Sequence, residues 1–456
     1  MSLKSLADKI LSSQLRINIV TGMVTNIAAV AVTAISYPLY LHFLGYEKYG
    51  VWLILSTIMN IAQLSNLGLA PAVVKLVAEE YGRRNTHGIQ STLSSATAIL
   101  IISGCMAFIM LILFRIQIIN LFKLTDENAR IALSLLPYMG LLTIYVFIVQ
   151  VSSATLSGLG RMDLATYSDA GGRILISVLS LMLLYLGLDI RSMLIASALS
   201  YAIIHGVNVY LIHQLGDYSF YQTKNYNLQY VTKLLKIGSG MFGSSLINIL
   251  VSPFNKIMIS RFIGVSSVPI YEITYNSCMY IRSLVESGIK AISPEVSRVS
   301  AVISPDAIKR IQQLNKLSLK TILIIAAPLW IILMVFAAPI LSTWLQNKYV
   351  GILPVVFRAM LIGVFMNLLA VPAFYILLGM GKTHQIFISY VVQSFANVMF
   401  VMSLIMINRL NIVNMAYAVM VSMAVASFYL VWQKRLLEKK LTDDMPPLSL
   451  LIKNQL

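Results

Sequence analysis

Four charged side chains interrupt one apolar stretch in the second half of the sequence. They are Glu272, Arg282, Glu286 and Lys290. The last three are spaced by four residues, which places them on one face of an α-helix. A guanidinium group within a membrane suits a phosphate, and a carboxylate there suits a coupling ion. The spacing therefore predicts one helical face that binds charged ligands.

Arg282 lies deep within this predicted helix. At 1.5 Å per residue it is about 20 Å from a helix start at Pro269, near the middle of a hydrocarbon layer about 30 Å thick. An ionised side chain there costs at least ~3 kcal/mol unless it faces water or a partner. We therefore expect the face to line a hydrated cavity between two halves of the protein, and Lys290 adds positive charge at its inner end. The alternative is that Arg282 and Glu286 form a local, self-neutralising ion pair.

The rest of the chain consists of apolar stretches that could hold this face in a bilayer. Hydrophobic residues make up 58% of the 456 residues and charged residues only 11%, and the mean hydropathy is +0.81. Apolar runs of about 20 residues, the length of a spanning helix, recur from end to end. We predict an all-α polytopic membrane protein with twelve transmembrane helices. Their ranges are 17–41, 50–74, 92–114, 131–156, 166–187, 192–213, 237–259, 268–292, 319–341, 354–378, 385–407 and 411–433.

Short motifs recur at half the chain length. Gly-Leu-Gly-Arg at 158–161 returns as Gly-Met-Gly-Lys at 379–382, and Phe-Leu-Gly at 43–45 returns as Phe-Ile-Gly at 262–264. Their order and nearly constant offset predict a unit of about 220 residues used twice. Six helices per unit make the two repeats parallel, and duplicated halves in a membrane protein are typical of transporters.

The repeat and the spans predict five regions. They are an amphipathic N-terminal segment 1–16, a six-helix bundle 17–213, a cytoplasmic linker 214–236, a second six-helix bundle 237–433 and a basic cytoplasmic tail 434–456. With both termini inside, the cytoplasmic ends and loops hold most of the 34 Lys and Arg residues, as the positive-inside rule requires. This distribution accounts for the net charge of +17 without a nucleic-acid partner.

Uncharged polar side chains predict a shared lumen with contributions from both halves. Gln63 aligns with Arg282 at the repeat offset. The other candidates are Asn26 in the first span, Asn60 in the second, Asn248 in the seventh and Asn276 in the eighth. Amide groups suit a sugar. The alternative is that these amides only stabilise helix packing.

Three further charged residues lie at and within the fifth predicted span. They are Asp163, Asp169 and Arg173. Their spacing is typical of a helix cap followed by an i,i+4 pair, so we interpret them as a local structural network.

The sequence argues against catalysis, metal binding and a cofactor. Gly381-Lys382-Thr383 lacks the first glycine of a phosphate loop, because position 376 is Ile. Cys105 and Cys278 lie in separate apolar spans, and the five His residues form no ligand-spaced pair. The longest predicted outer loop, 115–130, is too short for the extramembrane site that a membrane-bound glycan polymerase needs.

The chain resembles the bacterial polysaccharide transporter family. The resemblance rests on YPLYLHFLG at 37–45, YGVW at 49–52 and NLGLA at 66–70, and in the second half on Phe262-Ile-Gly264, Tyr271 and LGMGK at 378–382. The family includes the Wzx-type O-antigen flippases of the multidrug/oligosaccharidyl-lipid/polysaccharide superfamily. The motifs extend over nearly the whole chain and identify the superfamily better than the cargo.

The resemblance implies a V-shaped pair of six-helix bundles around a central cavity in the bacterial inner membrane. It implies that polyprenyl-pyrophosphate-linked oligosaccharide moves from the inner to the outer leaflet by alternating access. The family's cationic cavity residues carry over to Arg282 and then to Lys290. The resemblance leaves open coupling to H⁺ or Na⁺, for which Glu272 and Glu286 are the candidates. It also leaves open association with the polysaccharide polymerase and chain-length machinery.

Drug/cation antiporters of the same superfamily are the alternative. They commonly carry an acidic residue in the first span. Residues 17–41 contain none, which favours the flippase over the antiporter.

Overall fold

The backbone of an apolar segment finds no water inside a bilayer, so a helix, which satisfies its own N–H and C=O groups, is the expected structure. The computed structural model describes residues 3–66, 68–124, 126–216, 218, 226–290, 292–300 and 305–443. It describes their side chains except at 3–24, 26, 126, 240–249, 294, 442 and 443. Within these ranges the chain is helical and contains no strand. The prediction of an all-α chain is confirmed.

The chain divides into two compact units, Met1–Pro269 and Ile270–Leu456. The first eight helices are α1 Leu3–Ala62, α2 Leu69–Gly82, α3 Thr86–Leu113, α4 Arg115–Leu121, α5 Asp126–Gly158, α6 Met162–Tyr185, α7 Arg191–Leu215 and α8 Leu228–Phe262. The other eight are α9 Val268–Ile289, α10 Ile292–Ser300, α11 Pro305–Thr321, α12 Ala327–Val335, α13 Ala337–Leu345, α14 Leu353–Gly379, α15 Thr383–Met406 and α16 Ile412–Asp443.

Helix α8 belongs to the first compact unit, although the sequence repeat assigns it to the second bundle. It packs against α1, α2 and α3. The hydroxyl of Ser95 in α3 donates to the carbonyl oxygen of Asn227 (3.3 Å), and the side chain of Asn227 caps α8 by accepting from the backbone N–H of Gln229 (2.9 Å). The linker predicted at 214–236 divides the two sequence repeats and not the two compact units, so this division stays a prediction.

Nine helical segments of the described residues are long and apolar enough to cross a membrane. Seven of them fall on the predicted third to sixth and tenth to twelfth spans. An eighth, Pro305–Val335, overlaps the predicted ninth span and is α-helical except for the π turn Ile322–Ala326. The ninth, Ile27–Asn66, joins the predicted first and second spans. The nine do not include α8 or α9, the predicted seventh and eighth spans.

The predicted second span, 50–74, has the wrong boundaries. Helix α1 is already interrupted at Gly45, where φ is +68°, and continues without a gap to Ala62. A 3-10 turn at Gln63–Asn66 then ends it. The side chain of Asn66 accepts from the backbone N–H of Gly68 (3.0 Å), a local bond that competes with the helical pattern. A separate helix, α2, follows.

Repeated sequence motifs adopt similar turns in the two halves. Gly45 and Gly264 both have positive φ, at +68° and +129°. Gly160 and Gly381 have φ values of +82° and +70°, and each is followed two residues later by the start of a helix, α6 or α15.

A close helix contact also recurs in each half. A Cβ atom added at Gly158 would lie 2.7 Å from the Cβ of Val77 in α2, and one added at Gly379 would lie 2.8 Å from the Cβ of Val296 in α10. Real side chains do not tolerate such distances, so both positions need glycine.

The core of the first unit lies where α2, α3, α5 and α8 meet. Val73, Leu93, Phe147 and Leu234, one from each helix, are fully buried. This packing fixes α5, and with it the polar side chains described below. In the second unit Val296, Ile311 and Ile376 bring α10, α11 and α14 together.

Candidate functional site

The charged face that the sequence predicts lies on α9. The helix follows the positive-φ Gly264 and a 3-10 turn at Val265–Ser267. Arg282 is 14 residues beyond Val268, about 21 Å along the axis at 1.5 Å per residue. The predicted spacing therefore places Arg282 and Glu286 one turn apart, as expected for neighbours on a helix surface.

Arg282 and Glu286 form an ion pair. The Arg282 Nη1 atom lies 2.9 Å from Oε2 of Glu286, and the two side chains are only 17% and 21% exposed. The pairing that we considered as the alternative is therefore present. It does not use all the donors of the guanidinium group, because the buried Nε of Arg282 has no hydrogen-bond partner among the described residues.

A second helix binds the same carboxylate. The hydroxyl of Tyr375 in α14 donates to Oε1 of Glu286 at 3.1 Å. Glu286 thus accepts from Arg282 with one oxygen and from Tyr375 with the other. Sequence analysis did not find Tyr375, because the two residues are 89 positions apart and no local spacing connects them.

Two further tyrosines are within electrostatic reach of Arg282. The charge of Arg282 interacts with the hydroxyl groups of Tyr275 in α9 and Tyr390 in α15. The rings of Tyr271 and Tyr275 are stacked, with centroids 5.5 Å apart. A guanidinium edged by phenol groups combines hydrogen-bond donors with apolar ring faces.

The remaining candidates on α9 occupy its two ends. The Asn276 amide donates to Oε1 of Glu272 at 3.1 Å, and both side chains are half-buried. Lys290 lies one residue beyond the end of α9 and is exposed, and within the described part of the chain no carboxylate pairs with it. Arg282 is therefore paired with Glu286, whereas Lys290 is exposed at the end of the helix.

In the first unit, Gln63 belongs to a cavity and Asn60 does not. The Gln150 Nε2 atom donates to Oε1 of Gln63 at 3.4 Å, and Asn66 donates to Oε1 of Gln150 at 3.3 Å. Gln63 and Gln150 line a cavity of about 660 Å³, whereas Asn60 is exposed outside it. The side chains of the other two candidates, Asn26 and Asn248, lie outside the described residues.

The cavity is bounded by α2, α5, α6 and α7. Its polar lining is completed by Ser153, Asp169, Arg173 and Tyr201. The hydroxyl of Ser153 donates to Oδ1 of Asp169 at 2.9 Å. The charges of Asp169 and Arg173 both act on the hydroxyl of Tyr201.

The structural interpretation of the charges near the fifth span holds only in part. Asp163 caps locally: it binds Arg161 through two hydrogen bonds of 3.0 and 2.9 Å. Asp169 and Arg173 form no ion pair with each other among the described residues, and both line the cavity. Their position inside a predicted span was the signal for a functional site, by the same reasoning that selected Arg282.

Comparison with known proteins gives a matching family and a similar protein. A family profile described as "Polysaccharide biosynthesis protein" matches residues 15–300, more than half of the chain. A Shigella flexneri protein named "Putative O-antigen transporter" is 22% identical over 348 residues, which are 75% of this chain and 79% of that protein.

Two solved structures share the fold. An inward-facing multidrug resistance MATE family transporter of the MOP superfamily superposes with a TM-score of 0.73, at 15% identity, over 93% of this chain and 96% of its own. The lipid II flippase MurJ, in an inward closed conformation, gives a TM-score of 0.69 at 16% identity, over 93% of this chain and 87% of its own.

At 15% and 16% identity, these two structures show the fold that the chain shares with them. The candidate spans among the described residues agree with a multi-pass membrane protein. The match over residues 15–300 establishes that the chain belongs to the polysaccharide biosynthesis protein family.

Proposed function

We propose that this protein is a flippase that moves polyprenyl-pyrophosphate-linked oligosaccharide, of the O-antigen repeat-unit type, from the inner to the outer leaflet. The observation that carries the proposal is a partly buried arginine on α9, within a chain of the polysaccharide biosynthesis family. A lipid-linked glycan joins an anionic pyrophosphate to a hydroxyl-rich head, and Arg282 and the amide groups suit these two chemistries.

In this proposal Arg282 binds the pyrophosphate. Its Nε is buried without a hydrogen-bond partner among the described residues, so the group has a donor to offer. Phosphate oxygens accept charge-assisted hydrogen bonds from arginine in a bidentate manner. Glu286 holds Nη1 and its negative charge repels the anion, so Glu286 and the pyrophosphate compete for Arg282. Lys290 attracts the anion at the end of the helix.

Amide side chains contact the sugars. Gln63 and Asn276 are partly buried and in hydrogen-bonded networks, which orients their amides. Asn60, Asn26 and Asn248 complete the proposed set. The lipid tail stays in the bilayer, where its hydrocarbon costs nothing to solvate.

The proposed architecture is two parallel six-helix repeats, twelve spans in all, arranged as a V around a central cavity. The turns that recur at Gly45 and Gly264, and at Gly160 and Gly381, support the duplication. The basic inner loops support an orientation with both termini cytoplasmic in a bacterial inner membrane. The two repeats would rock to expose the site to each side in turn.

Ion coupling, with H⁺ or Na⁺, would use Glu272 or Glu286. Glu286 is the stronger candidate because its carboxylate connects Arg282 to Tyr375. An ion that neutralises Glu286 would free Arg282 for the anion. The polymerase and chain-length machinery would receive the translocated product.

The experiment that tests the proposal is complementation of a deletion strain. Cells that express the Arg282→Gln variant should accumulate lipid-linked oligosaccharide at the inner leaflet and lose surface glycan. Arg409→Gln is the matched control, because Arg409 is exposed between α15 and α16. Normal surface glycan with Arg282→Gln, at wild-type protein abundance, would refute the role of Arg282.

Drug/cation antiport by the same fold is the alternative. The likeness to the MATE transporter supports it, but a fold alone does not assign a substrate. Export of a fluorescent organic cation by proteoliposomes, with no effect of lipid-linked glycan, would favour this alternative.

A further inference from the structure

The cavity of the first unit is lined by residues other than those of the ion pair on α9. Its volume of about 660 Å³ is within the range of small-molecule binding sites. All its lining residues lie between Gln63 and Ile204, so the first unit alone forms it. Apolar walls come from Val74, Val146 and Ile176, and polar groups come from α5, α6, α7 and the 3-10 turn before α2.

Arg173 lines the cavity, and its side chain is exposed. It lies 11 residues beyond Met162, about 16 Å along a helix that is long and apolar enough to span a bilayer. No hydrogen bond or ion pair to its side chain occurs among the described residues, while Asp169 accepts only from Ser153 there. Charges at this depth need water or a ligand, so the polar side of the cavity must be filled by a polar molecule.

The arrangement of these groups selects the class of ligand. Asp169 and Arg173 together carry no net charge, so the cavity gives no net attraction to an anion, and Asp169 repels phosphate. A single carboxylate supplies too few oxygen ligands for a metal cation such as Ca²⁺. The lining offers both donors (Arg173, Tyr201) and acceptors (Asp169, Gln63), a combination that hydroxyl groups satisfy because each both donates and accepts.

We propose that this cavity is a binding site for an uncharged sugar residue of the glycan. Asp169 accepts from one sugar hydroxyl, Arg173 donates to another, and the hydroxyl of Tyr201 donates to a third. The inference rests on the proposed flippase function. It assigns sugar binding to the cavity of the first unit and pyrophosphate binding to Arg282.

The test compares two lipids in equilibrium binding to the purified full-length protein, measured by native mass spectrometry. One probe is the polyprenyl-pyrophosphate-linked oligosaccharide extracted from the deletion strain. The other is undecaprenyl pyrophosphate without sugar. Asp169→Asn and Arg173→Gln should each weaken binding of the glycan-bearing lipid at least about tenfold, the effect of losing a hydrogen bond to a charged group, and Tyr201→Phe about threefold, the effect of losing a neutral one. All three should leave binding of the bare lipid unchanged.

Two further variants, Arg191→Gln and Arg282→Gln, complete the design. Arg191→Gln is the control for a lost arginine, because Arg191 is exposed at the start of α7 and outside the cavity. Tyr201→Phe keeps the proposal testable if a charge substitution misfolds, because it removes only a hydroxyl. Arg282→Gln should weaken both lipids.

The outcomes separate the two proposals. Equal effects of the cavity variants on both lipids, or no effect on either, would overturn the sugar site while leaving the flippase function standing. Failure of the wild-type protein to bind either lipid would overturn the flippase function and the sugar site with it.

Discussion

Tyr375 and Glu286 connect α14 to α9 through a hydrogen bond of 3.1 Å, while Glu286 also holds Arg282 at 2.9 Å. The carboxylate thus has two partners of different kinds, one charged and one neutral. Loss of its charge would release the arginine and keep the tyrosine. This asymmetry makes Glu286 the point at which anion binding could be controlled.

Glu286→Gln should increase the affinity for undecaprenyl pyrophosphate about three- to tenfold, because the anion no longer competes with a carboxylate for Arg282. The estimate follows from the modest strength of partly exposed ion pairs. Glu272→Gln is the matched control, since Glu272 bonds to Asn276 rather than to Arg282. Competition binding in detergent measures the effect, and weaker binding by Glu286→Gln would contradict the proposed competition.

Ion coupling predicts a second property of Glu286. In proteoliposomes, an imposed H⁺ or Na⁺ gradient should change the rate of lipid-linked glycan transport by wild-type protein. Glu286→Gln should transport at a rate independent of the gradient, because an amide has no charge to neutralise. If the variant responds to the gradient as the wild type does, Glu286 is excluded as the coupling residue and Glu272 becomes the candidate.

The close contacts at Gly158 and Gly379 predict that a larger residue at either position destabilises the protein. Gly158→Ala and Gly379→Ala should each destabilise the protein by about 1–3 kcal/mol, since a methyl group would collide with Val77 or Val296. Gly206→Ala is the matched control: a Cβ there meets nothing within 4 Å, and the change should stabilise α7 by about 0.5–1 kcal/mol. Thermal melting of the purified variants measures the difference. If Gly158→Ala melts at the wild-type temperature, α2 and α5 can move apart without loss of stability.

Asn85 caps α3 and also binds a buried acid. Its Oδ1 accepts from the backbone N–H of Gly88 (3.0 Å), and its Nδ2 donates to Oε2 of Glu80 (2.7 Å), which is only 2% exposed. Asn85→Ala should cost about 1 kcal/mol for the cap and about 1–3 kcal/mol more for the bond that Glu80 loses.

The control for this prediction is Asn411→Ala. Asn411 is an exposed residue that accepts from the backbone N–H of Asn414 at 2.8 Å just before α16. The Asn411→Ala variant should lose only the stability that the cap contributes. Equal melting temperatures of the two variants would show that the bond to Glu80 contributes nothing.

The sequence was most informative where the interactions are local. The spacing of Arg282 and Glu286 predicted their shared face, and their ion pair was the alternative weighed against a free cation. Tyr375 escaped prediction because it comes from another helix. Asp169 and Arg173 were misread for the opposite reason: a plausible i,i+4 pairing hid the fact that α5 supplies the partner of Asp169.

Helix boundaries depended on interactions that composition does not report. Apolar periodicity predicted the existence of the helices in the first unit. It placed the second span through residue 74, beyond the 3-10 turn that Asn66 stabilises. Asn66 is one of several polar side chains in this run, and a hydropathy window of about 20 residues does not show which of them ends a helix.

The glycine–valine contact has a consequence for biosynthesis. Val77 precedes Gly158, and Val296 precedes Gly379, so each contact joins chain segments that a ribosome delivers close together in time. Helix pairing could therefore begin while translation continues, before the later half of the polypeptide exists. A nascent chain stopped soon after Gly158 should already be able to form the first of these contacts.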